Sequence, residues 1–337
     1  MSSQTAVRPQ SSRSQTLGVS LVVLWALAAL LAPVLAPHDI NERFANFPNA
    51  PPTRPHVVDD AGSLHAPFIY RWRLVDRLLQ TYQEDRSVRV PLAWFRGGRI
   101  LTSADEGSAP LLLLGADSYG KDVFSRVLYG ARLSLGLALA SALGAVLLGA
   151  SLGGLAGYFG GALDDALMRM TDVVMVLPGM YVVLALRAVL PPVMPAAEIF
   201  FLLSLIFAIV GAPFIARGVR AIVRAERAQD YASAAQALGA SHLRVLTRHL
   251  LPAARGFIAV EMTLLVPAFI VAEATLSFVG LGFPDRVASW GTMLQDASRN
   301  VRVFAEFPWL LSPAAAMFLV VLGLNLALEG KRTDIVM

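Results

Sequence analysis

The 337-residue chain contains no cysteine and only five histidines. The absence of cysteine excludes disulfides, thiolate metal sites and a cysteine nucleophile. The histidines show neither an H-E-x-x-H pattern nor another paired-ligand spacing, so we expect no metal site. No nucleophile with a neighbouring base is visible either. We therefore expect no catalytic residues in this chain.

Charged residues are also scarce. Asp, Glu, Lys and Arg together make up 15% of the sequence, and the formal net charge is +4. The arginines are concentrated in particular loops, which is typical of an orientation signal in a membrane protein and not of a nucleic-acid-binding surface.

Hydrophobic residues, in contrast, make up 56% of the chain, which is above the usual range for soluble domains. They occur in blocks about as long as the roughly 20 residues that a helix needs to cross a bilayer. We therefore predict an all-α integral membrane protein with six transmembrane helices. The predicted spans are residues 16–37, 133–159, 173–190, 199–216, 257–283 and 309–328.

The first apolar block, Thr16 to Pro37, has two interpretations. A cleaved signal peptide would normally have an apolar core of only about 7 to 15 residues, followed by a small-residue cleavage site. This block is longer and ends in Pro33 and Pro37. We therefore favour a retained first helix that follows a tail of residues 1–15.

Residues 38–132 differ from the apolar blocks, because they are rich in proline and aromatic residues and carry 12 Lys/Arg against 11 Asp/Glu. We predict a folded segment of mixed structure outside the membrane. Within it, the apolar spacing from Ile69 to Arg86 is typical of an amphipathic helix. That helix would lie on the membrane or a partner, or would pack within the segment itself.

Arginine distribution predicts the topology. Residues 217–255 carry 7 Arg against 2 acidic residues, and the tail of residues 331–337 contains Lys331 and Arg332. By the positive-inside rule both segments are cytoplasmic. With six spans both termini then lie in the cytoplasm, and residues 38–132 lie outside.

Three features within the predicted spans bear on packing or transport. Gly149, Gly153 and Gly157 form small-xxx-small patterns that allow close packing of the second span. Pro267 predicts a kink in the fifth span. Glu273 lies deep in the same span, where a carboxylate needs a partner or water. It would line a pathway or gate, or hold two helices together.

Residues 230–252 predict a helix, a turn and a second helix. Ala232 to Leu238 strongly favours a helix with few bulky side chains, Gly239 is placed to end it in the left-handed conformation, and Ser241 can cap the next helix. Three leucines then share one face of the second helix: Leu243, Leu246 and Leu250. Two arginines, Arg244 and Arg248, lie on another face. Pro252 is expected to change the direction of the backbone.

This stretch resembles the cytoplasmic coupling motif of ABC importer permeases, E-A-A-x-x-x-G-x(9)-I-x-L-P. The matching positions are Ala234, Ala235, Gly239, Leu251 and Pro252. Ser233 stands in place of the glutamate, and His249 in place of the isoleucine.

Two further segments are similar to the dipeptide, oligopeptide and nickel branch of these permeases. Residues 114–134 resemble L-G-T-D-x-x-G-R-D-x-x-S-R-x-x-x-G-x-R-x-S, and residues 273–294 resemble the end of the fifth span and its external loop. The resemblance covers residues 111–330 and is to the second, C-type subunit. Residues 41–110 do not match a typical member and are interpreted as an insertion.

The resemblance implies a type I ABC importer permease fold in a bacterial or archaeal cytoplasmic membrane. The implied partners are a second homologous permease, two ATP-binding subunits and an extracytoplasmic solute-binding protein. ATP and Mg would be used by the ATP-binding subunits, with no cofactor bound by this chain. Peptides are the default solute. The implied coupling residues are Asp230, Ala234, Ala235, Gly239, Arg244, Arg248, Leu251 and Pro252.

The main alternative is a self-sufficient secondary transporter or channel. Such a protein would be expected to contain paired intramembrane carboxylates or an inverted repeat, whereas the sequence has one deep glutamate, Glu273, and no clear repeat.

Two other motifs have competing interpretations. Gly115 to Lys121 reads G-x-x-x-x-G-K, but Asp122 replaces the Ser/Thr that would bind magnesium, so we do not expect a phosphate-binding loop. A row of arginines at the end of the fourth span would contact lipid headgroups or acidic groups of an ATPase. These are Arg217, Arg220, Arg224 and Arg227.

Overall fold

The computed structural model describes residues 11–177, 179–189, 191, 194–299 and 302–335. Most of the predicted N-terminal tail, together with the last two residues of the chain, lies outside the described residues. The chain is mostly helical. Its contacts divide it into two compact units, residues 1–134 with 274–337 and residues 135–273.

The first unit contains four helices among its described residues, besides the ends of two longer ones. They are α1 (Ser11–Leu30), the short α2 (Ala32–Leu35), α10 (Trp290–Ser298) and, after a 3₁₀ turn (Pro308–Leu311), α11 (Ser312–Ile335). Helices α1 and α11 pack closely through glycines. A Cβ atom added to Gly18 would lie 2.4 Å from the backbone nitrogen of Ala327.

A four-stranded antiparallel sheet completes this unit. Its strands are β1 (His56–Val58), β2 (Leu64–Asp76), β3 (Thr81–Arg96) and β4 (Arg99–Ser103), in the order β1-β2-β3-β4. The register pairs Trp72 with Glu84 and Leu74 with Tyr82. Trp72 and Tyr82 pack against a buried cluster that contains Phe44 and Phe47.

The predicted amphipathic helix over Ile69 to Arg86 is wrong, because the structure has strands β2 and β3 there. Residues 70–74 alternate aromatic or aliphatic residues with arginine, which is the period of two that a half-buried strand requires. Val75, Leu78 and Leu79, which the helical spacing placed on the buried face, are exposed.

The regular secondary structure among the described residues of the second unit is entirely helical. It contains most of α3 (Val123–Phe159), then α4 (Gly161–Val176), α5 (Gly179–Val189), α6 (Ala196–Arg227), α7 (Asp230–Ala237) and α8 (His242–Arg244). A π-helix (Val245–Leu250), a 3₁₀ turn (Leu251–Ala254) and α9 (Arg255–Phe278) follow.

Helices α3 and α6 cross at van der Waals contact because α3 presents glycine to α6. A Cβ atom on Gly149, Gly153 or Gly157 would lie 2.6, 2.2 or 2.6 Å, respectively, from a carbonyl oxygen of α6. Substitution at any of these positions would force the two helices apart. The predicted close packing of the second span is therefore confirmed.

Five helical segments among the described residues are long and apolar enough to cross a membrane. They are Arg13–Leu30, Val123–Phe159, Ala196–Arg227, His242–Phe278 and Pro308–Ala327. Helices α4 and α5, where the third span was predicted, meet at a bend of 87° and give a sixth crossing if they form one span. The 37-residue segments are about 55 Å long, so they extend well beyond a hydrocarbon core of about 30 Å.

Candidate functional site

The helix–turn–helix of residues 230–254, called the elbow from here on, has the predicted local structure in its first half. Helix α7 ends at Ala237, and Gly239 adopts φ +85°. The N–H of Gly239 donates to the carbonyl of Gln236 at 2.9 Å, and the N–H of Ala240 donates to Ala235 at 3.1 Å. These two bonds form a Schellman motif, which satisfies the terminal carbonyls of the helix and requires a left-handed residue at Gly239.

The second half begins as predicted but continues differently. The Ser241 side chain accepts the backbone N–H of Arg244 at 3.4 Å, so the predicted cap is confirmed. Leu246 and Leu250 are buried, whereas Leu243 is exposed, so the three leucines differ in their surroundings. The π-helix accounts for part of this difference, because its i→i+5 bonding breaks the 3.6-residue repeat on which the prediction rested.

The helical segment is not interrupted at Pro252, and the expected change of backbone direction there stays a prediction. Residues His242–Phe278 continue as one helical segment, with Pro252 inside the 3₁₀ turn that follows the π-helix. Proline removes one N–H donor and clashes with the carbonyl four residues earlier. The altered hydrogen bonding on either side of Leu251 accommodates this without breaking the segment.

Tyr158, near the end of α3, forms a hydrogen bond with each of the two helices of the elbow, α7 and α8. Its hydroxyl accepts from Gln236 Nε2 on α7 at 2.9 Å and lies 2.7 Å from His242 Nδ1 on α8. The guanidinium of Arg227, at the end of α6, lies over its ring at 5.3 Å. The hydroxyl can accept from the amide and donate to a neutral imidazole, so both hydrogen bonds are satisfied together.

The buried side of the elbow also contacts α3 through leucine side chains. A Cβ atom on Gly154 would lie 3.3 Å from Leu251 Cδ2 and 3.5 Å from Leu246 Cδ1. Val245 and Leu250 are completely buried in the same unit. The elbow is therefore an ordered helical segment that packs against α3.

The opposite side of the elbow faces away from the rest of the unit. Leu238 is 89% exposed and Leu243 is 70% exposed, an unusual degree for leucines in ordered helical turns. Among the predicted coupling residues, five are exposed: Asp230, Ala234, Gly239, Arg244 and Arg248. The other three are half-buried: Ala235, Leu251 and Pro252.

Tyr231 ties the start of α7 to α6. Its hydroxyl donates to Glu226 Oε2 at 2.6 Å, and this hydrogen bond to a carboxylate raises the pKa of Tyr231 to about 12. The phenol therefore stays protonated at neutral pH and keeps its role as a donor.

The row of arginines at the end of α6 has partners within the chain, which neither predicted interpretation included. Arg220 donates two hydrogen bonds to the carboxylate of Asp164, one from Nε to Oδ1 and one from Nη2 to Oδ2 at 2.6 Å. Arg224 Nη1 lies 3.8 Å from Oδ2 of the same carboxylate. Asp164 belongs to α4 and is buried. The remaining two have neighbours of their own: Asp172 for Arg217 and the Tyr158 ring for Arg227.

The predicted gate residues lie in α9. Pro267 is half-buried inside that helix, and Glu273, six residues further on, is completely buried. Burial is compatible with both interpretations of Glu273, a gate residue or a tie between helices, so its role stays a prediction.

The phosphate-loop-like segment is organised around its own aspartates. Asp117 Oδ1 accepts the N–H groups of Tyr119 and Lys121, each at 2.9 Å. Asp122 accepts the N–H of Phe124 at 3.1 Å at the start of α3. Burial is the main cause that lowers the pKa of Lys121. Amide groups that would hold a phosphate are therefore engaged within the chain.

Comparison with known proteins identifies the class. The chain belongs to the family of binding-protein-dependent transport system inner membrane components, whose model matches residues 127–330. It is thus a multi-pass membrane protein and a permease component of an inner-membrane transport system. This membership does not support the alternative of a self-sufficient transporter.

Three relatives illustrate the similarity. The oligopeptide transport system permease protein OppC of Bacillus subtilis is 36% identical over 69% of this chain and 73% of its own length. The glutathione transport system permease protein GsiD of Pectobacterium atrosepticum is 34% identical over 68% and 73%. The dipeptide transport system permease protein DppC of Haemophilus influenzae is 28% identical over 96% and 90%. The last alignment spans 324 residues, so it includes most of the segment interpreted as an insertion.

The sequence did not single out three residues that the structure brings to the site. Tyr158 belongs to no local motif, and Gln236 and Leu238 stand at unspecified positions of the coupling motif. One signal was available: Tyr158-Phe159 lies at the end of a long apolar block and directly before Gly160-Gly161. This is where a span leaves the membrane and meets the next loop.

Proposed function

We propose that this chain is one half of the membrane pathway of an ATP-driven importer of peptides or related small solutes. The names of the relatives support this solute class, because they refer to oligopeptides, dipeptides and glutathione. Their variety favours a general peptide-like chemistry over one particular solute.

The proposed assembly contains four further components. A second homologous permease forms the other half of the pathway, two ATP-binding subunits use ATP and Mg, and an extracytoplasmic binding protein delivers the solute. The family description supports the last of these. This chain binds neither ATP nor Mg in the proposed arrangement.

The proposed topology has six spans, with α4 and α5 forming the third. Both termini and the elbow then lie in the cytoplasm, and residues 38–132 lie outside. The excess of arginine over acidic residues in residues 217–255 supports this orientation.

One observation carries the proposed mechanism: the elbow is fixed on one side and exposes leucine on the other. Tyr158 and Gly154 hold its inner side, whereas Leu238 and Leu243 project outward beside Arg244. An apolar projection with cationic neighbours suits a groove on an ATP-binding subunit. Closure of the ATPases would move the elbow, and rigid helices would relay that movement to the pathway. In this proposal Pro267 and Glu273 belong to the gate.

Gly239 provides a sharp test. A Cβ atom at this position meets nothing within 4 Å, so the first side-chain atom of a substituted residue has open space around it. Its φ of +85° still penalises other residues by about 1–2 kcal/mol, which asparagine tolerates better than most. We propose to compare Gly239→Trp with Gly239→Asn in the reconstituted complex.

The expected result is that Gly239→Asn transports normally, whereas Gly239→Trp hydrolyses ATP without proportionate solute uptake or loses its ATPase subunits. Both variants should reach the membrane in normal amounts. Coupled transport by Gly239→Trp at the normal ratio would contradict the proposal that the elbow enters a groove.

A further inference from the structure

The loop that joins β2 to β3, residues 77–80, exposes two leucines at its tip. Leu78 is 90% exposed and Leu79 is 55% exposed. In the same unit Phe304, in the turn of residues 302–306, is 80% exposed. Large apolar side chains that cluster on an ordered surface usually mark an interaction site.

The tip is held in one conformation. Asp76 Oδ1 accepts the N–H groups of both Leu78, at 2.7 Å, and Leu79, at 3.0 Å. Asn49 Nδ2 donates to Gln80 Oε1 at 2.5 Å behind it. The leucines therefore project because the backbone is fixed by hydrogen bonds, and the loop is not free to turn them inward.

Contacts within the unit fix the tip near the start of the last span. Arg302 Nη2 donates to the carbonyl of Leu79 at 2.7 Å. Phe304 lies only four residues before Pro308, where the apolar segment Pro308–Ala327 begins. The Trp309 indole N–H also donates to Ala116 in the adjoining loop at 3.1 Å. The tip thus lies beside the residues that precede the apolar segment Pro308–Ala327.

The charges around the tip fit a phospholipid interface. Arg77, in the tip loop itself, is exposed, and a guanidinium group binds lipid phosphates while its aliphatic stem contacts acyl chains. The two carboxylates close by are already engaged, Asp76 with backbone amides and Glu306 with Arg302. Leucine, phenylalanine and arginine together are the composition of an interfacial anchor.

We propose that the Leu78–Leu79 tip and Phe304 dip into the phospholipid interface beside the last span and anchor the sheet to the bilayer surface. The apolar segment Pro308–Ala327, which begins four residues after Phe304, is only 28% buried within the protein and is long enough to cross a membrane. This inference requires a membrane protein but depends neither on the transported solute nor on which side of the membrane the sheet lies.

The absence of native cysteine allows a direct depth measurement. Leu78→Cys introduces the only thiol of this chain and is spin-labelled in the full chain, which is purified with cysteine-free partner subunits in phospholipid nanodiscs. Leu64→Cys is the matched control, because Leu64 is also highly exposed, at 81%, but lies at the other end of β2. Twelve residues of strand separate Leu64 from Asp76 by up to about 40 Å. Phe304→Cys is an independent second site.

The measurement is the accessibility of each label to oxygen, which concentrates in lipid, and to a polar nickel chelate, which stays in water. We expect the ratio of oxygen to nickel accessibility to be several-fold higher at positions 78 and 304 than at position 64. A ratio at position 78 equal to that at position 64 would place the tip in water and overturn the proposal. Exclusion of both reagents at position 78 would also overturn it, because a protein partner would then cover the tip. Neither outcome depends on whether the solute is a peptide.

Discussion

Replacing Tyr158 with phenylalanine tests whether the elbow acts through its attachment to α3. The change removes only the hydroxyl that binds Gln236 and His242, and it leaves a ring for Arg227 to contact. Each of these two hydrogen bonds contributes a net of about 0.5–1.5 kcal/mol, which is about a 2- to 13-fold change per bond in the equilibrium between attached and detached elbow. Both partners are solvent-accessible, so water can replace the hydroxyl and the fold should persist.

The expected phenotype of Tyr158→Phe is a loss of coupling and not of assembly. In proteoliposomes containing the full complex, the number of solute molecules imported per ATP hydrolysed should fall several-fold, while basal ATPase activity and subunit composition stay near normal. A double-mutant cycle with His242→Phe should show strong coupling, because the second substitution removes a bond that the first has already broken.

Tyr181→Phe is the matched control, since Tyr181 is an exposed tyrosine of α5 in the same unit and the same atom is deleted. It should leave the transport ratio unchanged. Wild-type coupling in Tyr158→Phe, or an equal decrease in both variants, would refute the idea that this hydroxyl transmits the movement of the elbow.

Three further substitutions give separable results. Leu238→Asp should weaken retention of the ATPase subunits during purification, whereas Phe95→Asp, at another highly exposed apolar residue, should not. Asp164→Asn should lower the melting temperature, because it removes the buried carboxylate that binds Arg220 and so lowers the free energy of unfolding by about 1–3 kcal/mol. Asp165→Asn, at an exposed neighbour, should leave the melting temperature unchanged. Burial raises the pKa of Asp296, so its stabilising contribution is complete at low pH and is lost as the pH rises through the folded-state pKa. Asp296→Asn should therefore show a smaller loss of thermal stability than the wild type on going from acidic to neutral pH.

The local structure of the elbow was predictable because it depends on neighbours in the sequence. Gly239 and Ser241 act within four residues of themselves, as a left-handed helix end and as a cap. The attachment of the elbow was not predictable, because Tyr158 lies 78 residues from Gln236 and 84 from His242. A pairing over that distance depends on how α3 and α6 pack, which no single motif specifies.

The sheet shows a different limit. Trp72, Val75, Leu78, Leu79 and Tyr82 satisfy the helical period, yet the chain forms two strands there. The structure resolves the ambiguity by burying Trp72 and Tyr82 against the core and leaving the three aliphatic residues exposed. Hydrophobic spacing alone could not distinguish the two outcomes, since the hairpin reverses the chain between Leu78 and Tyr82.

The packing of the elbow constrains how a pull on it would spread within its own unit. The elbow continues directly into the helical segment His242–Phe278, which carries Glu273 about 47 Å along its length from His242 at 1.5 Å per residue. It is also joined to the end of α3 through Tyr158 and through the leucines that contact Gly154. A force applied at Leu238 therefore acts on two spans together. Since α3 contacts α6 through glycines that leave no free space, α6 must follow as well. We therefore propose that the segment His242–Phe278, α3 and α6 move together as one packed unit when the elbow is displaced. A Gly153→Leu substitution, which would separate α3 from α6, should impair coupling although it changes no residue of the elbow.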